Sequence, residues 1–323
     1  LLVRAPNWLG DVVMCLPALE AVKRAAPGLR LTLALPAHLS ELVSAAEDVD
    51  AVLAIGRGAR SVLRISRVIK RGGFDSALLL PNSFGSALAV RLAGIPRRAG
   101  YARDGRSWML TEAVSCPPER RGLHQVEYYT ALTGELGAPC DPDLSRTVRL
   151  SAPAAARAQV ESLLSAERLR PEAPLYVLAP CAVGPGKEWP AEKFGRLAAL
   201  LWARGAEVAL TGAPNEKRKT GAVAAAARSA GGRVLDLAGR NSVAQMAALF
   251  ELAAGFAGND SGPMHLAGAL GLATLGIFVS TDPKLYTPLG PRVSVIGGPA
   301  ASPEPEAAAE RLADLVRGEV AGA

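Results

Sequence analysis

Short apolar runs recur along the chain, and between them apolar positions return at the three-and-four spacing of an amphipathic helix. LLVRAP (1–6), LTLALP (31–36), AVLAI (51–55) and SALLLP (76–81) predict strands in the first half, with helices over about 10–26, 60–72 and 84–94. The beat loosens over 97–150 into Arg-rich loops, with one helix beginning near His124. It restarts after the linker-like stretch SAPAAARAQVESLLSAERLRPEAP, where an Ala-rich helix meets Pro171 and Pro174. LYVLAP (175–180), EVALTG (207–212), VLDLAG (234–239), GFAGN (255–259) and TLGIFVS (274–280) predict the second set of strands, and 303–318 one last helix. Strands that alternate with helices predict parallel sheets covered on both faces. The expected architecture is α/β, with two Rossmann-like domains over 1–165 and 172–302 and a terminal helix over 303–323 available to pack back on the first domain. In open parallel sheets ligands bind beyond the carboxyl ends of the strands. Two such domains face to face would place those loops on opposite walls of one cleft.

Composition narrows the class. With half of its 323 residues hydrophobic and a fifth charged, the chain forms packed domains and not a disordered polymer. Four widely spaced cysteines without a CxxC pair argue against a zinc site or a disulfide framework and suit a reducing compartment. LLVRAP is too short for a signal-peptide core, and no stretch offers the length of apolar sequence that a spanning helix needs. A cytoplasmic protein is expected, without nucleic acid as a partner. The net charge is +6 and sits in the first half: residues 1–150 hold 19 Lys and Arg against 14 Asp and Glu, the remainder 17 against 16. Arg97, Arg98, Arg103, Arg106, Arg120 and Arg121 crowd one region, which points to an anionic partner unless they form an ordinary solvated surface.

The loops after the strands carry the chemistry. Asp11 stands where NWLGD passes from the first strand into a helix, either as a group aimed into a cleft or as a simple helix-start carboxylate. In GNDSGPMHLAGALG (258–271), Asp260, Ser261 and Gly262 occupy a helix cap, Pro263 suits the first helical position, and His265 lies in the first turn. Such a start is an anion site fit for phosphate, or else a capped helix with a core histidine. CAVGPGKEWP (181–190) joins two glycines to Lys187, the kind of loop that meets a diphosphate, although the Walker spacing fails. GAPNEKR (212–218) offers Glu216 as a hydroxyl acceptor, or a turn with a surface glutamate. No GxGxxG follows the first strand, which argues against a dehydrogenase.

Taken together, NWLGDVVMCLPAL, HQVEYYTALTGELG (124–137), GPGKEWP and NDSGPMHLAGALG resemble the lipopolysaccharide heptosyltransferases, glycosyltransferase family 9, over nearly the whole chain. NWLGD and NDSGPMHLA are similar to the heptosyltransferase II branch. The resemblance implies the GT-B fold, ADP-L-glycero-D-manno-heptose as donor and the lipopolysaccharide inner core, Kdo-lipid A or its heptosylated form, as acceptor. It implies an inverting, metal-independent transfer without a cofactor, with Asp11 as general base. Donor contacts would come from Lys187, Glu216, Asp260, Ser261, Gly262, Met264 and His265. Acceptor contacts would come from Asn7, Trp8, Arg97, Arg98, Arg120 and Arg121, and whether the basic face touches the inner membrane peripherally or only the acceptor stays open. Two other readings stay open: a different ADP- or UDP-sugar transferase or epimerase of the same fold, and a non-catalytic two-domain anion-binding protein.

Overall fold

The computed structural model describes residues 1–44, 46–56, 61–140, 150–170, 172–299 and 301–319. The chain divides into two compact units, Leu1–Val148 and Arg149–Ala323.

The first unit runs β1 (Leu2–Arg4), α1 (Leu9–Ala25), β2 (Thr32–Pro36), α2 (Ala37–Val43), β3 (Ala51–Ile55), α3 (Ser61–Arg71), β4 (Ser76–Leu79), α4 (Phe84–Leu92), β5 (Arg97–Tyr101), β6 (Glu112–Val114), α5 (Pro118–Arg121) and α6 (Gln125–Glu135), with a 3-10 turn at Ser107–Met109. Its six strands are parallel in the order β3-β2-β1-β4-β5-β6. The central strands are covered on both faces, so their sequences read as continuous apolar runs. β5 and β6 are the exception, since RRAGY and EAV lie where loops were expected. They sit at the exposed end of the sheet, where Arg97 pairs with Glu112 at 3.0 Å. A half-exposed strand keeps its polar residues and therefore lacks the apolar signature.

The second unit runs α7 (Ala154–Ala166), β7 (Leu175–Ala179), α8 (Ala191–Ala203), β8 (Glu207–Leu210), α9 (Lys217–Ser229), β9 (Leu235–Asp236), α10 (Val243–Glu251), β10 (Gly255–Asn259), α11 (Gly262–Ala269), β11 (Thr274–Phe278), α12 (Pro283–Tyr286), β12 (Val293–Gly297) and α13 (Pro305–Arg317). Its parallel order, β12-β11-β10-β7-β8-β9, repeats that of the first unit. The linker-like Ala-rich stretch is α7, which buries Ala156 and Val160 and packs on α10. Its start is tied to that helix by Ala152 N donating to Glu251 Oε1 at 2.7 Å. That attachment places α7 in the second unit, ahead of the boundary expected near 165–172.

The terminal helix α13 presents Ala308, Ala309, Leu312 and Leu315 as one buried stripe against α8 and the strands of its own unit. Burying each leucine favours this docking by about 1.5–3 kcal/mol. Trp189 Nε1 donates to Pro303 O at 3.1 Å and Arg204 Nη1 to Ala309 O at 3.1 Å, fixing both ends of the approach. The apolar face expected to be available for the first domain is thus covered within the second unit.

Candidate functional site

Both sheets reverse winding direction between their first and fourth strands, β1/β4 and β7/β10. The carboxyl ends of those pairs flank the crevice where doubly wound sheets receive ligands.

In the second unit the loop after β7 is shaped by two glycines. Gly184 (φ 122°) and Gly186 (φ 70°) take backbone conformations that L side chains disfavour. Asn259, fully buried at the tip of β10, fastens this loop by accepting from Trp189 N at 3.0 Å and donating to Pro180 O at 2.8 Å.

The next residue, Asp260, gathers the chemistry. Its Oδ2 accepts from Lys187 Nζ at 2.8 Å and from Thr281 Oγ1 at 2.9 Å, and its Oδ1 lies 3.9 Å from His265 Nε2. Burial alone would raise the Asp260 carboxyl, but the neighbouring His265 imidazole, hydrogen bonds from Lys187 and Thr281 and the Lys187 charge hold it below its ordinary value. The Asp260 side chain is 5% exposed and that of Lys187 26%, so the ammonium is the outward member of the pair. Lys187 Nζ also stands 5.5 Å from the Tyr286 ring centroid. Asp260 leads into α11, whose Ser261 cap makes no side-chain capping bond. Ser261 Oγ and His265 Nδ1 are buried without a hydrogen-bond partner. An ammonium, two unsatisfied polar atoms and an uncapped helix start together form a cradle for an anion.

Beside it, Glu188 Oε1 accepts from Ala182 N at 3.0 Å and pairs with Lys219. Glu216 Oε2 accepts from Ala213 N at 2.7 Å, within its own turn. Buried Cys181 is pushed up to about 12, first by burial and then by the Glu216 and Glu188 charges.

The structure thus brings Lys187, Asp260, Ser261, Gly262 and His265 into one cluster, with Glu216 in the adjoining loop. Met264 is a correction. Its side chain is fully buried, its sulfur closing on β11 at Gly276, because the second position after Gly262 on α11 faces the sheet. Thr281, Lys219 and Glu188 escaped the sequence reading. Thr281 follows β11, which pairs with β10, so its loop ends next to Asp260.

In the first unit Asp11 lies half-buried in the first turn of α1. Burial, and after it the Asp11 charge, raise the Tyr129 phenol and the Cys15 thiol. Tyr129 belongs to α6, so the HQVEYYTALTG stretch is brought to the Asp11 loop by the packing of α6 on α1. Tyr128, next to it, meets Asn82 beyond β4, with Asn82 Nδ2 donating to its hydroxyl at 2.9 Å. Asn7 and Trp8 line a pocket of about 410 Å³ at the tips of β1 and β4.

The arginine cluster separates by role. Arg97 and Arg98 open β5 and therefore lie at the amino edge of the sheet, opposite the strand-end loops. Arg97 pairs with Glu112, and Arg98 Nε donates to Met109 O at 2.7 Å. Neither joins the crevice, which corrects the acceptor role expected for both. Arg106, wholly buried, bonds to Pro81 O and Tyr101 O and stiffens the loop after β4. Arg120 pairs with Glu135 beyond β6. The Arg121 side chain lies outside the described residues.

A family model described as glycosyltransferase family 9 (heptosyltransferase) matches residues 62–316. Lipopolysaccharide heptosyltransferase 2 of Salmonella typhimurium is 28% identical over 304 residues, covering 92% of this chain and 87% of the relative. Among solved structures, Escherichia coli ADP-heptose lipopolysaccharide heptosyltransferase II superposes with a TM-score of 0.84 at 25% identity, covering 98% of each chain. An Escherichia coli heptosyltransferase solved with ADP gives a TM-score of 0.74 at 21% identity, covering 97% of this chain and 99% of that one.

Proposed function

Because the chain belongs to glycosyltransferase family 9, the heptosyltransferases, we propose that its second unit holds ADP-L-glycero-D-manno-heptose and its first unit the lipopolysaccharide inner core. The fold is GT-B, with two Rossmann-like units, and the activity is heptose transfer in lipopolysaccharide core assembly.

The observation that carries the donor reading is the Lys187–Asp260–Thr281 cluster at the start of α11, with Ser261 Oγ and His265 Nδ1 unsatisfied beside it. A diphosphate supplies the acceptor oxygens that these donors lack. Lys187 meets its charge, the α11 backbone binds a phosphate, and Glu216 receives a ribose hydroxyl through Oε1. Asp260 touches Lys187 and orients it.

Transfer then inverts the anomeric carbon. An acceptor hydroxyl attacks C1 on the face opposite ADP, the new C–O bond forms as the C1–O bond to the diphosphate breaks, and Asp11 takes the hydroxyl proton. ADP leaves with the bonding electron pair, and its added charge rests on Lys187 and the helix start. No step calls on a metal ion. The acceptor's lipid is met at the cytoplasmic face of the inner membrane by peripheral contact. Supporting this are exposed Phe84, Leu92 and Trp108, with the Arg91 guanidinium 4.8 Å from the Trp108 ring centroid. Among the described residues no helix is long and apolar enough to cross a membrane.

Incubation with ADP-heptose and a truncated core acceptor tests the whole reading by mass spectrometry. The expected product is the acceptor plus one heptose. An unchanged acceptor, with UDP binding as tightly as ADP in calorimetry, overturns it.

A further inference from the structure

β1 ends in a residue that its neighbours do not prepare for. After buried Leu2 and Val3, Arg4 is only 7% exposed, yet it lines the pocket at the tips of β1 and β4, and its guanidinium reaches Asn7, another lining residue. Its hydrogen bonds go to Ala5 O, Ala34 O and Asn7 Oδ1, all of them neutral acceptors. Among the described residues no acidic side chain lines the pocket. Burial lowers Arg4 to about 10, the mark of a cation held away from water.

Three helices begin on the same pocket. The α1 cap Trp8, the first α3 residue Ser61 and the α4 cap Ser83 all line it, and the Ser83 side chain makes no capping bond. Each helix start adds partial positive charge and backbone donors of the same sign as Arg4. Ser86 lines it from the first turn of α4. A buried guanidinium can do without a carboxylate partner when a ligand brings the anion, and its fork fits two oxygens of one oxyanion.

We propose that this pocket is an oxyanion subsite, built on Arg4 and three converging helix starts, that takes a phosphate or carboxylate group of the acceptor. It rests on the acceptor reading of the first unit for its physiological ligand, though not for its chemistry.

The probe is inorganic phosphate, measured by equilibrium dialysis on full-length Lys187→Ala protein so that the anion cradle of the second unit is weakened. One phosphate per chain is expected to remain. Adding Arg4→Met should weaken it at least tenfold, with Arg4→Lys intermediate because it keeps the charge and loses the fork. Ser86→Asp leaves Arg4 in place and sets a carboxylate in the pocket, so it should weaken binding as much, and it serves if Arg4→Met fails to fold. Unchanged phosphate affinity in Ser86→Asp and in a folded Arg4 variant overturns the proposal. Displacement by acetate at equal concentration assigns the site to carboxylates, and indifference to acetate assigns it to phosphate esters. In otherwise unaltered enzyme, Arg4→Lys should raise the acceptor KM at least fivefold while ADP affinity stays constant. Arg4-dependent phosphate binding in a protein that transfers no heptose would remove the acceptor reading and leave the subsite standing.

Discussion

Lys187 and Asp260, 73 positions apart in sequence, meet at 2.8 Å where the second sheet reverses its winding. The contact joins the loop after β7 to the start of α11, and it holds one ammonium in place with its outward side accessible. Asp260→Asn keeps an oxygen for Thr281 but removes the charge that anchors Lys187. The variant is expected to fold with a stability loss of about 1–3 kcal/mol, read by urea denaturation. Its KM for the ADP-sugar should rise tenfold or more, because Lys187 becomes free to turn away from the proposed diphosphate position. A donor KM within twofold of the parent enzyme would show that the anchoring is structural only.

The same carboxylate predicts an acid limit. Asp260 is depressed in the folded protein, despite the opposing effect of burial, by the nearby His265 and by its bonds to Lys187 and Thr281. A depressed acid stabilises the fold above its unfolded value, near 4 for an aspartate, and that contribution disappears as pH falls through the lower folded value. Stability attributable to Asp260 should therefore be constant from neutral pH down to about 4 and decline below it. Urea midpoints of the parent and Asp260→Asn, measured from pH 7 to 3, should converge at the acid end. Parallel curves across that range would refute the assignment.

Asp11 separates a catalytic from a local structural role. A carboxylate in the first turn of α1 favours that helix by about 0.3–1 kcal/mol through the dipole, so Asp11→Asn should lower the melting temperature only slightly. As the general base it contributes far more to rate, and kcat is expected to drop by about 10²–10⁴-fold with donor affinity unchanged. Near-parental kcat would leave Asp11 as a helix-start charge. Scanning calorimetry beside steady-state kinetics decides between them.

Much of this was legible from the chain alone because parallel strands covered on both faces must read as apolar runs, and their carboxyl-end loops must carry the ligand groups. Asp11, Lys187, Asp260, Ser261 and His265 were singled out that way, and the last four of them cluster in the structure. Where a strand is short or half-exposed the signal fails: RRAGY and EAV looked like loops because their side chains serve the sheet's open edge. Arg97 and Arg98 then seemed part of one basic surface with Arg120, although strand direction places them at the opposite edge. Met264 illustrates a second limit. Motif membership marks a segment, while helix phase decides that His265 faces Asp260 and Met264 faces Gly276. Thr281 was missed because its role depends on which strand lies beside β10, a non-local fact.

Arg97 supplies a control. Its ion pair with Glu112 is solvent-exposed, and such pairs contribute about 0–1 kcal/mol. Arg97→Ala should leave acceptor KM and kcat within twofold of the parent, with a melting temperature nearly unchanged. A tenfold rise in acceptor KM would return Arg97 to the acceptor surface and would mean that the acceptor reaches the amino edge of the first sheet.

Asn259 provides the sharpest test of how the Lys187 loop is held. Its side chain is fully buried and bridges Trp189 N and Pro180 O, the two ends of that loop. Asn259→Ala leaves both backbone groups without this partner, and each such buried group costs about 1–3 kcal/mol. Asn259→Asp keeps an acceptor for Trp189 N, loses the donor to Pro180 O, and adds a charge beside Asp260. Both variants should be less stable, and if Asn259, buried and bridging the loop ends, acts by placing Lys187, the donor KM should rise more than kcat falls in both. Saturating ADP-sugar should therefore restore most of the rate in Asn259→Ala but not in Lys187→Ala, where the group proposed to meet the leaving diphosphate is itself missing. Equal loss of kcat in the two, measured at saturating donor, would contradict the positioning role and place Asn259 among the residues that act on the reaction directly.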